Sequence, residues 1–150
     1  MADRDFRLQP VLNYKSSVVE ALEMEFARLK LRHLEEQQVL KGLQQREQQH
    51  MDSLRQQQQQ GQLDCDLIQL HQQYLRSLTD HVVAQAARVN EAAQQAETKR
   101  EELVKTMQDR KMLEKLRERY RARQAQELLR RETRAVDEIV TTRYVRERLP

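Results

Sequence analysis

Between Leu8 and Leu54, steps of four and three residues alternate without a slip. They pass through Leu8, Leu12, Lys15, Val19, Leu22, Phe26, Leu29, His33, Glu36, Leu40, Leu43, Glu47, His50 and Leu54. A mean spacing of 3.5 residues keeps one stripe of an α-helix against a partner helix, the a/d seam of a coiled coil. Nine of the fourteen positions are apolar, and each apolar side chain taken out of water contributes about 1.5–3 kcal/mol. Lys15, His33, Glu36, Glu47 and His50 weaken the stripe. Pro10 suits a first helical turn, where its missing N–H costs nothing. The pattern predicts a first helix over about residues 11–58.

A second periodic stretch predicts a helix over about residues 64–148, with Asp64 as its N-cap. Its apolar seam reads Leu67, Leu70, Tyr74, Leu78, Val82, Gln85, Val89, Ala93, Ala96, Arg100, Leu103, Met107, Arg110 and Leu113. Two successive four-residue steps at Tyr74, Leu78 and Val82 form a stutter, which locally unwinds a supercoil. Between the two stretches lies the run Gln56 to Asp64, "QQQQQGQLD". Glutamine is a fair helix former, so the run carries the first helix nearly to a bend at about 59–63. Gly61 can take the positive φ that a tight reversal needs. Folding there pairs residues whose numbers add to about 122. Leu40 then meets Val82, and Phe26 and Leu29 meet Ala96 and Ala93. The expected fold is all-α: an antiparallel two-helix coiled-coil hairpin, one elongated unit over 1–150. Its longer C-terminal helix overhangs the N-terminus.

Composition agrees with this. Two glycines, two prolines and 4% aromatic residues in 150 leave little for a layered core, while 34% of the residues are charged. The net charge of +3 does not argue for nucleic acid, although Arg117 to Pro150 holds ten arginines against six acidic residues. That Arg-rich piece is also the overhang, and it carries Leu113, Leu116, Tyr120, Leu128, Val136, Ile139 and Val140. An unpaired helix with an apolar stripe is short of a partner. Cys65 is the only cysteine, so no intrachain disulfide forms, and a lone thiol suits a reducing cytosol. The N-terminus has no apolar signal region and no window nears 18 apolar residues, which predicts neither secretion nor a membrane span.

Candidate chemistry is sparse. Two glycines 19 residues apart build no phosphate loop, and no CxxC or HExxH occurs. His50 and His71 approach each other near the bend, but two histidines are an incomplete ligand set, so they read as a polar seam layer. No catalytic residue, metal, cofactor or small-molecule substrate is expected. A basic-region zipper would follow its arginines with a leucine heptad; here Glu118, Glu127 and Glu132 interrupt the field. No nucleic-acid partner is expected.

Four segments resemble a known family. "KMLEKLRERY" (111–120) and "RRETRAVDEIVTTRY" (130–144) are similar to the C-terminal signature of the flagellar export protein FliJ, related to the YscO-type stalk proteins of virulence secretion. The matching positions are Lys111, Leu113, Glu114, Lys115, Leu116, Glu132, Asp137, Glu138 and Arg143. "FRLQPVLNYK" (6–15), with Phe6, Leu8, Leu12 and Tyr14, looks like the family's start. "QQYLRSL" (72–78) resembles the segment after its bend. The Gln-rich approach to the bend departs from a generic member and leaves any contribution of the first helix to a gate site unassigned.

The resemblance implies a non-enzymatic central stalk and cofactor of the flagellar type III export apparatus, at the cytoplasmic face of the inner membrane. The end carrying both termini would dock into the export ATPase hexamer and promote its assembly and activity. The bend-side half would contact the export gate membrane protein, and members also escort export chaperones. Carried over residue by residue, Phe6, Leu8, Leu113, Glu114, Leu116, Asp137 and Glu138 fall on the ATPase side. Tyr74, Leu78, His81 and Gln85 fall on the gate side. Plain seam packing is the competing expectation for Leu113, Leu116, Tyr74 and Leu78. A generic coiled-coil scaffold or chaperone-like adaptor, or the equivalent stalk of a virulence system, is the alternative.

Overall fold

The computed structural model describes residues 6–61 and 64–149. Among them are two helices and no strand: α1, Gln9–Gln59, and α2, Cys65–Arg148. The two pack against each other as an all-α helical hairpin. α1 begins where Gln9 N–H donates to the Phe6 carbonyl at 3.0 Å. It ends where Gln60 and Gly61 close back on Gln56 and Gln58. Gly61 has φ of +69°, the only positive φ among the described residues, and a residue without a Cβ takes that conformation without strain. The expected bend extends over residues 62 and 63, which lie outside the described residues. Asp64 stands just before α2, and its carbonyl accepts from Ile68 N–H at 3.1 Å.

The chain divides into two compact units. One holds the described residues up to Val19 and those from Lys105 onward; the other is Glu20–Val104.

In the Glu20–Val104 unit the helices run antiparallel. Glu25 pairs with Lys99, Glu36 with Gln85, Glu47 with Thr79 and His50 with His71. The numbers of these pairs add to between 121 and 126, close to the register expected from a bend at Gly61. On α1 the protected positions include Leu22, Phe26, Leu29, His33, Glu36, Leu40, Leu43, Glu47, His50 and Leu54, the stripe read from the sequence, with Gly42, Met51 and Gln57 half-buried as well. On α2 the seam runs through Ile68, His71, Leu75, Leu78, Val82, Gln85, Val89, Ala92, Ala96, Lys99 and Leu103, and Ala86 and Ala93 beside it are half-buried too. Ala92 and Ala96 are buried and lie, at this register, across from Leu29 and Phe26 respectively. Small residues opposite large ones let the helices approach closely.

The α2 seam corrects the expectation at several positions. Steps of three and four alternate from Ile68 without the predicted stutter, and Leu67, Leu70 and Tyr74 stand exposed. Arg100 is exposed and Lys99 takes its place. The reason is that polar side chains find cross-helix partners within the seam or at its edge. His71 meets His50, Gln85 meets Glu36 and Lys99 meets Glu25 at 2.9 Å. Satisfied polar groups cost little to bury, so the geometric 3.5-residue repeat prevails over the apolar count.

In the other unit, Leu12 and Val19 are buried on α1, Val19 to 1%. Thr106, Arg110, Leu113, Arg117 and Tyr120 continue an alternating seam on α2. Lys15 pairs with Asp109 at 3.4 Å. Leu8, expected to open the seam, is 39% exposed, and Met107 is exposed too. Leu8 lies in the turn before α1, and the preceding Phe6 supplies the buried anchor instead.

Candidate functional site

The unit that contains the terminal segments is held shut by a ring pair. Phe6 is buried, and its ring stands 5.7 Å from that of Tyr120, tilted by 49°. Such a pair adds about 0.5–1.5 kcal/mol beyond the area it buries. Two buried polar atoms in the same unit, Gln9 Oε1 and Arg117 Nε, have no hydrogen-bond partner among the described residues. Each such group costs about 1–3 kcal/mol, so this end of α1 is held less firmly than its apolar anchors alone would hold it.

Beyond Tyr120 every described residue of α2 is exposed. If the seam continued in steps of four and three from Tyr120, it would pass through six polar residues, Gln124, Glu127, Arg131, Arg134, Glu138 and Thr141, before it reached Val145 near the end of α2. Most of the large apolar residues lie elsewhere. Leu128, Leu129, Val136, Ile139 and Val140 sit one or two positions on, which is about 100–200° around the helix. All five are more than half exposed. Tyr144 lies beside the same stripe and is covered on one face by the Arg148 guanidinium, 4.6 Å from the ring centre. This stripe is therefore not a continuation of the face that packs on α1. It forms a separate surface, with Arg123, Arg130, Arg131 and Arg134 on the other side of the helix.

In the Glu20–Val104 unit, one polar layer is buried. Gln85, only 4% exposed, donates from Nε2 to the Glu36 carbonyl at 3.0 Å and to the Glu36 carboxylate. Near the bend His50, His71 and Tyr74 cluster, with His50 to Tyr74 ring centres 4.6 Å apart, edge to face. Among the described residues no group of three or more His, Cys, Asp or Glu side chains is placed to hold a metal ion. No described helix is long and apolar enough to cross a membrane. Cys65 is exposed at the start of α2.

These features were compared with known proteins. The family model for the flagellar FliJ protein matches residues 4–149, nearly the whole chain. The chain belongs to the FliJ family. Comparison with curated proteins and with solved structures returned no match. FliJ membership supports a role in flagellar protein export.

The positions carried over from the FliJ signature divide by environment. Leu113 is half-buried in the seam, whereas Leu116 is exposed. Glu114 is half-buried and pairs with Arg110 at 3.6 Å. Asp137 and Glu138 are exposed on the overhang, where their carbonyls accept from the hydroxyls of Thr141 and Thr142. Phe6 is turned inward and Leu8 outward. On the gate side, Tyr74 and His81 face outward, His81 Nδ1 lying 2.6 Å from the Ser77 carbonyl. Leu78 and Gln85 are buried in the seam. Sequence reasoning missed Tyr120 as the partner of Phe6, because one aromatic gives no sign of which distant ring it meets. It also missed the offset of the apolar stripe, although the residues that define it were legible. The signal was the polarity of positions 124, 127, 131, 134 and 138.

Proposed function

We propose that this FliJ-family chain is a non-catalytic central stalk and cofactor of the flagellar type III export ATPase, working at the cytoplasmic face of the inner membrane. The unit carrying both termini docks into the ATPase hexamer and promotes its assembly and turnover. Support comes chiefly from the apolar stripe of Leu128, Leu129, Val136, Ile139 and Val140. It is exposed, and it faces away from the line along which α2 packs on α1. A face of that kind has no use within the hairpin and fits a groove on another protein.

The carried-over positions then take different parts. Leu8, Leu116, Asp137 and Glu138 are exposed and make direct contact with the ATPase. Phe6, Leu113 and Glu114 hold the terminal end of the hairpin in shape for that contact. In the unit with the bend, Tyr74 and His81 contact the export gate protein, while Leu78 and Gln85 fix the helix that presents them. Chaperone escort is the third link of the same role.

The test is ATP turnover by the cognate export ATPase with and without the full chain. Saturable stimulation is expected. It should be lost when residues 121–150 are deleted, a cut that leaves the Phe6–Tyr120 contact in place. Equal turnover with and without the full chain would leave a coiled-coil adaptor unconnected to the motor.

A further inference from the structure

The seam beside the bend holds one pair that the export role does not use. His50 on α1 faces His71 on α2, with His71 Nδ1 3.1 Å from His50 Nε2. The ring centres are 4.9 Å apart and the rings are tilted by 43°. Both imidazoles are half-buried, and Tyr74 packs its ring against His50. Each ring is thus constrained by packing, and the two facing nitrogens can be bridged only by a proton or by a cation.

Two imidazole nitrogens that bind one tetrahedral ion at about 2.0–2.1 Å each must stand about 3.3 Å apart. The observed separation is within a few tenths of an ångström of that, and a turn of both rings by about 35° takes the two lone pairs from facing each other to converging on one tetrahedral apex. We propose that His50 Nε2 and His71 Nδ1 form a cross-helix two-histidine site for a borderline divalent ion such as Zn²⁺. Imidazole nitrogen suits such ions better than it suits Mg²⁺ or Ca²⁺.

The proton balance is simple. In the metal-free pair one facing nitrogen carries the hydrogen that bridges to the other. On binding, that imidazole keeps its proton on its opposite ring nitrogen, so a neutral pair changes tautomer and releases none. Glu47, one turn before His50, accepts from Thr79 Oγ1 at 2.8 Å and is engaged there. No third protein ligand from His, Cys, Asp or Glu joins the pair among the described residues. Water completes the coordination, and the affinity falls well short of a closed four-ligand site. The ion would tie α1 to α2 beside the bend, so that binding and local closure of the hairpin reinforce each other.

The experiment uses the full chain carrying Cys65→Ser, which removes the free thiol as a competing ligand. Zn²⁺ alone is titrated calorimetrically and thermal unfolding is followed in parallel. One ion per chain should bind saturably and raise the melting temperature. In His50→Gln and in His71→Gln the affinity should fall by about tenfold or more, the loss of one ligand of two. Both variants should still melt cooperatively without metal, and His81→Gln should bind as the parent does. Acidification should weaken binding, because a protonated imidazole cannot ligate. No saturable binding up to about 1 mM, an affinity limit of roughly 4 kcal/mol, would overturn the site. Unchanged affinity in either histidine variant would do the same and leave the pair as a polar layer only.

Discussion

The two glycines act in opposite ways. Gly42 sits inside α1 with nothing within 4 Å of where a Cβ would be. There glycine only adds flexibility to the unfolded chain, so Gly42→Ala should stabilise the hairpin by about 0.5–1 kcal/mol. Gly61 is equally open but holds φ of +69°, and Gly61→Ala should cost about 1 kcal/mol or more. Urea unfolding of the two variants checks both signs, and a loss at Gly42 would contradict the account of α1. Gln85 is a different case, because it is buried and its amide nitrogen donates twice to Glu36. Gln85→Ala leaves the Glu36 carboxylate short of its donor and opens a gap. It should cost about 1–3 kcal/mol, readable as a shift in the same unfolding midpoint. A change below about 0.3 kcal/mol, the scale of a surface substitution, would mean the layer is solvated.

Along the elements, legibility differed between the helices. α1 was readable almost position by position, because enough apolar residues, from Leu12 to Leu54, fall on an unbroken 3.5-residue repeat to fix its phase through the polar positions between them. α2 was readable as a helix, but its seam was misread over its first turns and again at Arg100 and Met107. In the first turns Leu70 and Tyr74 are more apolar than His71 and suggested a stutter, yet they face outward. What decided the matter was the partner each polar residue meets across the seam, and one helix's sequence does not contain that. The environment of each carried-over residue was hidden for the same reason: Leu78 and Tyr74 are equally apolar neighbours on paper, but one is buried and the other exposed.

Electrostatics on α2 also belong to this scale. A hydrogen bond from Arg100 holds the Glu97 carboxyl below its ordinary 4.5. Hydrogen bonds to Glu25 and then Glu102 hold the Lys99 ammonium above its ordinary 10.5. A lowered acid stabilises the fold above its unfolded value, and that contribution is lost as pH falls through the depressed value. A raised base contributes below its unfolded value and loses its part as pH rises through the elevated one. Both contributions are therefore complete between about pH 5 and 10 and fade outside that window. Melting temperature against pH should show an acid limb that Glu97→Gln reduces and an alkaline limb that Lys99→Gln reduces. Both effects should shrink in high salt, because these pairs are at the surface. Limbs unchanged in both variants would show that the pairs contribute nothing.

For the whole molecule, the two units make separate demands on their surfaces. The Glu20–Val104 unit uses its apolar stripe internally and presents Tyr74 and His81 outward. The unit with the termini uses its stripe internally only as far as Tyr120, after which α2 carries a second stripe on another face. A helix that simply outlasted its partner would keep its apolar residues on the old seam. This one moves most of them, Val145 excepted, as expected of a segment shaped by a different protein. The measurement that tests this most directly is the affinity of the purified export ATPase for the full chain and for Val136→Asp/Ile139→Asp. Both substitutions are exposed and leave every contact between α1 and α2 intact, so the variant should melt as the parent does. Binding should weaken by about a hundredfold, equivalent to roughly 3 kcal/mol for two buried apolar anchors replaced by charge. Equal affinity for the two chains would contradict the claim that the offset stripe is the docking face.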